Sequence, residues 1–183
     1  MGNTMNKLYK LNLKFDIEKL KKDFQNIESK LINKGSSFRF PIQGVANRNE
    51  SYDSLVGHFY GKEFSESDVN TVLDIFNNTE TKKCVETITK YTDTCRARYL
   101  TMLPSQTYRM HNDRGWRLHI PIVTNEECYF FHKGEMPYHM VADGSCYIVS
   151  VDHQHTAMNL SEENRTHIVM GIDSPEKLIE KFT

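Results

Sequence analysis

Two histidines, an aspartate and an arginine are the residues of this chain best suited to metal chemistry. His111 and Asp113 are two positions apart, so in an extended strand both side chains project to the same face. Two imidazoles and one carboxylate form the facial triad of non-haem Fe(II) oxygenases, which leaves coordination positions open. Arg165 would complete such a site, because a guanidinium meets the carboxylate of a dicarboxylic acid through two parallel hydrogen bonds. The pattern therefore predicts an oxygenase that uses iron and 2-oxoglutarate.

The third metal ligand has to come from another strand, and residue type alone does not select it. If a hairpin turn is centred on residues 160–163, His155 and Arg165 lie on one face of that hairpin. His153 would lie on the same strand face as His155, so it stays an alternative third ligand. The histidines that could supply the ligand are His119, His132, His139, His153, His155 and His167.

Residues 117–123, RLHIPIV, predict a strand with one polar and one apolar face. Arg117 and His119 share one face, while the leucine and isoleucines that alternate with them share the other. A strand that turns an arginine and a histidine toward a metal is suited to bind an anion. Pro121 cannot donate to a strand ladder, so this strand lies at a sheet edge or carries a bulge there.

Length and composition limit the class of protein. The chain has 183 residues, which suits a single domain with a sizeable core. Charged residues make up 26% and the formal net charge is −1, which argues against a nucleic-acid partner. No run of about 18 apolar residues is present, so no membrane span is expected. The N-terminus lacks a signal-peptide pattern and the four cysteines form no CxxC pair, so we expect a cytoplasmic protein with reduced thiols.

The first half of the chain predicts helices, and the second half predicts strands. Asp16 is placed to cap the first helix, and the irregular segment 36–66 is a candidate substrate wall or lid, or a simple cover of the core. The predicted elements of the first half are a strand over 7–14, a helix from 16 to about 33–35, the irregular segment 36–66, and helices over 67–76 and 79–91.

From residue 96 onward, closely spaced β-rich runs indicate a sandwich or barrel. We therefore expect an α+β protein with a mainly β core: strand, helices and loop in 1–95, the catalytic core in 96–173, and a C-terminal helix in 174–183. The predicted strands are 96–103, 108–113, 117–123, 127–132, 145–151, 155–159 and 165–172.

Five motifs in the β-rich half together resemble the aspartyl/asparaginyl/proline hydroxylase family. They are H-x-D at 111–113, RLHIPIVTN at 117–125, G-S-C-Y at 144–147, H-x-x-x-N at 155–159 and R-x-H at 165–167. Members of this family are Fe(II)- and 2-oxoglutarate-dependent oxygenases built on a double-stranded β-helix, or jelly roll, which is cupin-like. The similarity covers about residues 96–173 and implies that fold here, with the N-terminal helices packed on it.

By motif position, the resemblance implies that His111, Asp113 and His155 bind the iron. Family members also use a hydroxyl group near the start of the first core strand to support the C5 carboxylate of 2-oxoglutarate. Thr101 and Leu100 fit that register equally well, so the supporting residue stays open. The implied cosubstrate contacts are Arg165 at the C5 carboxylate, and Arg117 with His119 near the C1 carboxylate.

The resemblance implies hydroxylation of an amino acid, either free and proline-like or as an Asp, Asn or Pro residue of a peptide or protein. Because Asp113 is retained, the chain resembles the bacterial branch, which includes free-proline hydroxylases. Fe(II), 2-oxoglutarate and O2 are the implied cofactors and cosubstrates, with ascorbate as an optional activator and succinate and CO2 as products. We expect a monomer or homodimer. The alternative is a non-catalytic jelly-roll protein that binds a metal or a small acid.

Overall fold

The computed structural model describes residues 6–35 and 37–183 of the chain. The sequence-based prediction that the N-terminus has no signal peptide falls in part on residues 1–5, outside the described residues. None of the helices in the described ranges is long and apolar enough to cross a membrane. The strands are β1 (Leu8–Lys14), β2 (Ile32–Asn33), β3 (Ser37–Pro41), β4 (Gln43–Val45), β5 (Val69–Val72), β6 (Thr94–Met102), β7 (Gln106–Thr107), β8 (Trp116–Val123), β9 (Cys128–His132), β10 (Ser145–Ser150), β11 (His155–Asn159) and β12 (Arg165–Ile172). The helices are α1 (Ile17–Gln25), α2 (Tyr52–Val56), α3 (Glu80–Thr89) and α4 (Pro175–Phe182), and short 3-10 helices cover Glu28–Lys30 and Asp74–Phe76.

Two antiparallel sheets form the core of the fold. The larger sheet has the strand order β1-β10-β8-β12-β6-β3-β2, and the smaller has the order β7-β11-β9. Phe130 and Ala157 of the smaller sheet pack with Tyr147 and Val149 of the larger one, so the two sheets face each other. Strands β4 and β5 pair separately. This arrangement confirms the expected α+β fold with a jelly-roll core.

The larger sheet separates an apolar layer from a polar cavity, because successive residues of a strand point to opposite faces. On its outer face, Ile120 and Ile168 pack with Leu20 of α1, Ile88 of α3 and Leu178 of α4, all of them fully buried. Burying one such side chain stabilises the fold by roughly 1.5–3 kcal/mol. The alternate residues of β8 and β12 therefore point inward, toward the smaller sheet, where the candidate site lies.

Helix α1 begins where the sequence predicts but ends earlier. The Asp16 side chain accepts a hydrogen bond from the Lys19 backbone N–H, which confirms the predicted N-cap. The helix stops at Gln25, so the prediction that it ends near 33–35 is wrong. After a 3-10 turn, the chain joins the edge of the larger sheet as β2, paired with β3. Strand pairing at the sheet edge therefore ends the helix, although the apolar residues beyond Gln25 keep helical spacing.

The segments 36–66 and 67–76 differ most from the sequence-based predictions. The first is not irregular: it contains β3, β4 and α2, and β3 pairs with β6 in the larger sheet. The helix predicted over 67–76 is instead β5 followed by a 3-10 turn. Both predictions fail because pairing with a strand distant in sequence decides the conformation. The helix predicted from Thr79 is confirmed as α3, and the Thr79 side chain caps it.

Two predictions about the β-rich half need correction, and one alternative is resolved. Residues 108–113 form no strand, and a single isolated bridge joins His111 to His155. Strands β11 and β12 form no hairpin, because β11 belongs to the smaller sheet and β12 to the larger. Pro121 lies in β8, between β10 and β12, so the edge alternative is wrong. The bulge alternative is right, since the β8–β12 register shifts beside Pro121.

Candidate functional site

His111, Asp113 and His155 form a compact group of potential metal ligands. Each offers one ligand atom, and these atoms all lie within 4.8 Å of one another. His155 opens β11, and its backbone exchanges two hydrogen bonds with His111, at 2.8 and 3.1 Å. The Asp113 backbone N–H donates to the carbonyl oxygen of Val151 at 2.8 Å. The segment that carries the H-x-D motif is therefore held against the sheet by three backbone hydrogen bonds, although it is not a strand.

Backbone carbonyl groups orient both histidines of the triad. Nδ1 of His111 lies 2.7 Å from the carbonyl oxygen of Arg109, and Nδ1 of His155 lies 2.9 Å from that of His153. A nitrogen that faces a carbonyl must carry the proton, so each ring keeps the lone pair of Nε2 free for a metal. Burial also lowers the pKa of His155, which favours the neutral imidazole that binds metals. His153 itself turns away, with Nδ1 3.0 Å from Ser150 Oγ.

A cavity of about 830 Å³ lies between the two sheets and contains all three triad residues. Arg165 lines the same cavity from β12. The two sheets thus bring Arg165 and His155 together from opposite walls, whereas the sequence places them on one hairpin. The apolar part of the lining consists of Leu100, Phe130, Val151, Ala157 and Val169.

Arg165 is a buried cation that has no counter-ion among the described residues. The residue is 3% exposed, and no carboxylate of the described ranges lies within salt-bridge distance. Burial lowers the pKa of Arg165 to about 10, so the guanidinium remains charged at neutral pH. A buried, unpaired guanidinium is costly unless a ligand supplies the negative charge. The geometry therefore favours a carboxylate at this end of the cavity.

His119 and His167 form a buried neutral pair beside Arg165. Their Nδ1 atoms lie 3.4 Å apart, and Nη2 of Arg165 lies 3.3 Å from Nδ1 of His167. Burial and the charges of Arg165 and Arg98 lower the pKa of His119 well below its usual value. Arg117, which shares a strand face with His119, is anchored differently: its Nη2 lies 3.4 Å from a carboxylate oxygen of Glu66.

Tyr108 is one of the cavity residues that the sequence analysis did not identify. Its hydroxyl group is buried and has no hydrogen-bond partner among the described residues, and the ring lines the cavity close enough to Arg165 to affect its pKa. Leu100 and Thr101, the two positions that the sequence analysis left open for the group that supports the C5 carboxylate, are less suitable for that role. Leu100 lines the cavity but has no polar group, and the Thr101 hydroxyl bonds that of Thr166 at 2.8 Å. Only the packing of the segment before His111 brings Tyr108 here, and no motif marks it.

Comparison with known proteins adds a family match. A sequence model of the family described as aspartyl/asparaginyl beta-hydroxylase matches residues 72–175, which is more than half of the chain. A search of curated proteins found no match.

Solved structures of similar fold include three prolyl hydroxylases. The enzyme of Trichoplax adhaerens, solved with a hypoxia inducible factor oxygen degradation domain peptide fragment, is 9% identical with a TM-score of 0.59, over 96% of this chain and 87% of that one. The viral collagen prolyl hydroxylase of Paramecium Bursaria Chlorella virus-1 is 10% identical with a TM-score of 0.56, over 91% and 96%. A Pseudomonas putida prolyl-4-hydroxylase is 8% identical with a TM-score of 0.55, over 92% of each chain. At these identities the likeness concerns the fold alone.

Proposed function

The chain belongs to the aspartyl/asparaginyl beta-hydroxylase family and is a 2-oxoglutarate-dependent dioxygenase, and from this premise we propose that it hydroxylates an amino acid, free or within a peptide or protein. Succinate and CO2 are the proposed products of the cosubstrate. The observation that carries this proposal is the group of three ligand atoms within 4.8 Å, in the same cavity as a buried arginine that no carboxylate of the described residues pairs with.

The residues present fit Fe(II). His111 and His155 each offer a free Nε2 lone pair, and Asp113 offers a carboxylate oxygen, which is the donor set of a facial triad. We assign the metal to these three residues. Because the backbone carbonyl groups of Arg109 and His153 fix both imidazole rings, the site is organised before the metal binds.

The residues present also fit 2-oxoglutarate. We propose that Arg165 binds the C5 carboxylate through its two-pronged guanidinium, and that the Tyr108 hydroxyl donates a further hydrogen bond to it. His119 and Arg117 line the same cavity and are proposed to face the C1 carboxylate. The buried hydroxyl of Tyr108 would then gain the partner that it lacks among the described protein atoms.

Bound Fe(II) and 2-oxoglutarate supply the oxidising chemistry, in which O2 is consumed and a C–H bond of the substrate is hydroxylated, with ascorbate as an optional activator. The chain supplies position and shielding. Leu100, Phe130 and Val169 line the cavity with apolar surface that limits water near the reacting atoms. Because His119 and His167 are neutral, they carry no positive charge that would repel a metal ion or an arginine. Residues 36–66 contribute Arg39 and His58 to the cavity lining, which is consistent with a substrate wall.

The decisive experiment measures succinate formation from 2-oxoglutarate with Fe(II), ascorbate and O2. It is run with free amino acids and with short Asp-, Asn- and Pro-containing peptides, and mass spectrometry records the gain of one oxygen. We expect substrate-stimulated succinate with a matching product. The Asp113→Ala variant should be inactive, and Asp173→Ala, which changes an exposed aspartate outside the cavity, should be active. Metal-loaded protein that forms no succinate with any substrate would favour the non-catalytic binding protein instead.

A further inference from the structure

Besides Arg109 and the two arginines assigned to the cosubstrate, Arg117 and Arg165, three arginines line the cavity: Arg39 of β3, and Arg96 and Arg98 of β6. We propose that these three residues, called here the arginine cluster, form an anion subsite, and that the substrate carries an acid group, a carboxylate or a phosphate, that binds there. The part of this inference that concerns the substrate rests on the proposed function. The anion subsite itself rests on charge and geometry.

The arginine cluster has too few carboxylates to neutralise it. Within the described residues, Glu66 alone lies within salt-bridge distance, with Oε1 3.2 Å from Arg96 Nη1 and 3.4 Å from Arg117 Nη2. Arg39 and Arg98 donate instead to backbone carbonyl oxygens. The single carboxylate of Glu66, which the cluster shares with Arg117, therefore faces the three guanidinium groups of the cluster, in a chain whose formal net charge is −1. A cleft with this concentration of one charge attracts ligands of the opposite sign.

Two members of the cluster also have buried donors without partners. Nε of Arg96 and Nε of Arg98 are buried and bond no atom of the described residues. Burial and the neighbouring charges of Arg96, Arg117 and Arg39 lower the pKa of Arg98 well below its usual value. Leaving such donors unpaired is unfavourable, and the planar fork of arginine matches two oxygens of an acid group. An acidic ligand would relieve both the repulsion and the missing hydrogen bonds.

The cluster is separate from the proposed cosubstrate contacts. Arg98 of β6 pairs with Val169 of β12. Because Val169 lies four residues along β12 from Arg165, the backbones of Arg98 and Arg165 are about 13 Å apart. The charges of Fe(II) and Arg165 together balance those of Asp113 and the two carboxylates of 2-oxoglutarate. The cosubstrate therefore leaves the charge of the cluster uncompensated, and a second anion is needed.

The backbone around the cluster departs from regular strand geometry. Arg96 has a φ of 52°, in the left-handed region that residues with a side chain rarely adopt, and the β6–β12 register shifts between Val169 and Gly171. Bulges of this kind redirect side chains. A Cβ atom at Gly171 would lie 2.7 Å from Cys95 Sγ and 3.5 Å from Arg117 Nη1. The absence of a side chain at Gly171 lets the arginines of β6 and β8 share one face of the cavity.

The first test is independent of catalysis and uses inorganic sulfate as the probe. Isothermal titration calorimetry is performed on protein loaded with Mn(II) and saturated with 2-oxoglutarate, so that Arg165 is occupied. We expect wild-type protein to bind sulfate, and Arg98→Gln to weaken that binding by about tenfold or more. Arg39→Gln serves as a second variant of the cluster. Arg48→Gln, which changes an arginine outside the cavity lining, is the control and should bind like wild type. Equal sulfate affinity in all four proteins, or no binding to wild type, would overturn the subsite.

The second test compares acidic substrates with their neutral counterparts in the succinate assay: aspartate with asparagine, glutamate with glutamine, and phosphoserine with serine, free and in short peptides. We expect one of the acidic classes to be preferred, and Arg98→Gln to raise its KM about tenfold or more with little change in kcat. Preference for a neutral substrate, unaffected by Arg98→Gln, would refute the substrate class and leave the dioxygenase intact. Sulfate binding that depends on Arg98, without succinate from any substrate, would support the subsite and refute the proposed function.

Discussion

Replacing Tyr108 by phenylalanine tests the proposed cosubstrate site with the smallest change that the cavity offers. The variant keeps the ring that lines the cavity and removes only the buried hydroxyl, which has no protein partner among the described residues. If that hydroxyl donates to the C5 carboxylate bound by Arg165, the loss is that of a hydrogen bond to a charged group, about 1.5–3 kcal/mol. This corresponds to a rise of roughly 10- to 150-fold in the KM for 2-oxoglutarate.

The assay is succinate formation at varied 2-oxoglutarate concentration, with the other components saturating. We expect kcat to change little, since the hydroxyl is not assigned to the metal or to the substrate. The thermal stability of the ligand-free protein should also be nearly unchanged, because the Tyr108 hydroxyl makes no hydrogen bond with the described residues. Tyr138→Phe, outside the cavity lining, is the matched control. A KM for 2-oxoglutarate equal to that of wild type would show that Tyr108 does not contact the cosubstrate.

Three further predictions follow from the site. Asp113→Ala should abolish succinate formation and reduce bound Mn(II), measured by electron paramagnetic resonance; full turnover in this variant would refute the triad. Arg165→Ala should raise the KM for 2-oxoglutarate about 30-fold or more, since it removes one partner of a buried charge pair; an unchanged KM would place the cosubstrate elsewhere. Burial lowers the pKa of His167 well below the unfolded value of about 6.5, so protons bind first to the unfolded state as pH falls. Metal-free protein should therefore lose about 1.4 kcal/mol of unfolding free energy from this residue by about pH 5.5, measured with urea. His167→Gln should flatten that pH dependence, and identical curves for both proteins would contradict the assignment.

Local sequence signals predicted the parts of the fold that depend on neighbouring residues. The cap at Asp16, helix α3 after Thr79 and the alternation in β8 follow from residue type and spacing, and the structure confirms them. Strand β3 was not predictable in this way, because its partner β6 lies about 60 residues further along the chain. The same holds for β5, whose short polar sequence becomes a strand only by pairing with β4.

The candidate site shows the same division between local and long-range information. The spacing of His111 and Asp113 predicted that these two side chains lie together. The expected cause, an extended strand, is wrong, because the segment joins β11 through one isolated bridge. The hairpin that was expected to place His155 and Arg165 on one face does not exist, and the choice of His155 over His153 came from the family motif. What brings His155 and Arg165 together is the stacking of two sheets, each contributing one wall of the cavity.

Because the cavity has one wall from each sheet, the potential metal ligands lie on a different wall from Arg165 and the arginine cluster. The smaller sheet and the segment that follows β7 carry the three potential metal ligands, while the larger sheet carries Arg165 at one end and the arginine cluster toward the other. The strand register separates the backbones of Arg165 and Arg98 by about 13 Å. On the proposed assignments, 2-oxoglutarate and an acidic substrate would therefore use different arginines of one wall. If the substrate is an acid, its charged group and its reacting C–H bond are held by different sheets, so the rigid stacking of the sheets decides which carbon faces the metal.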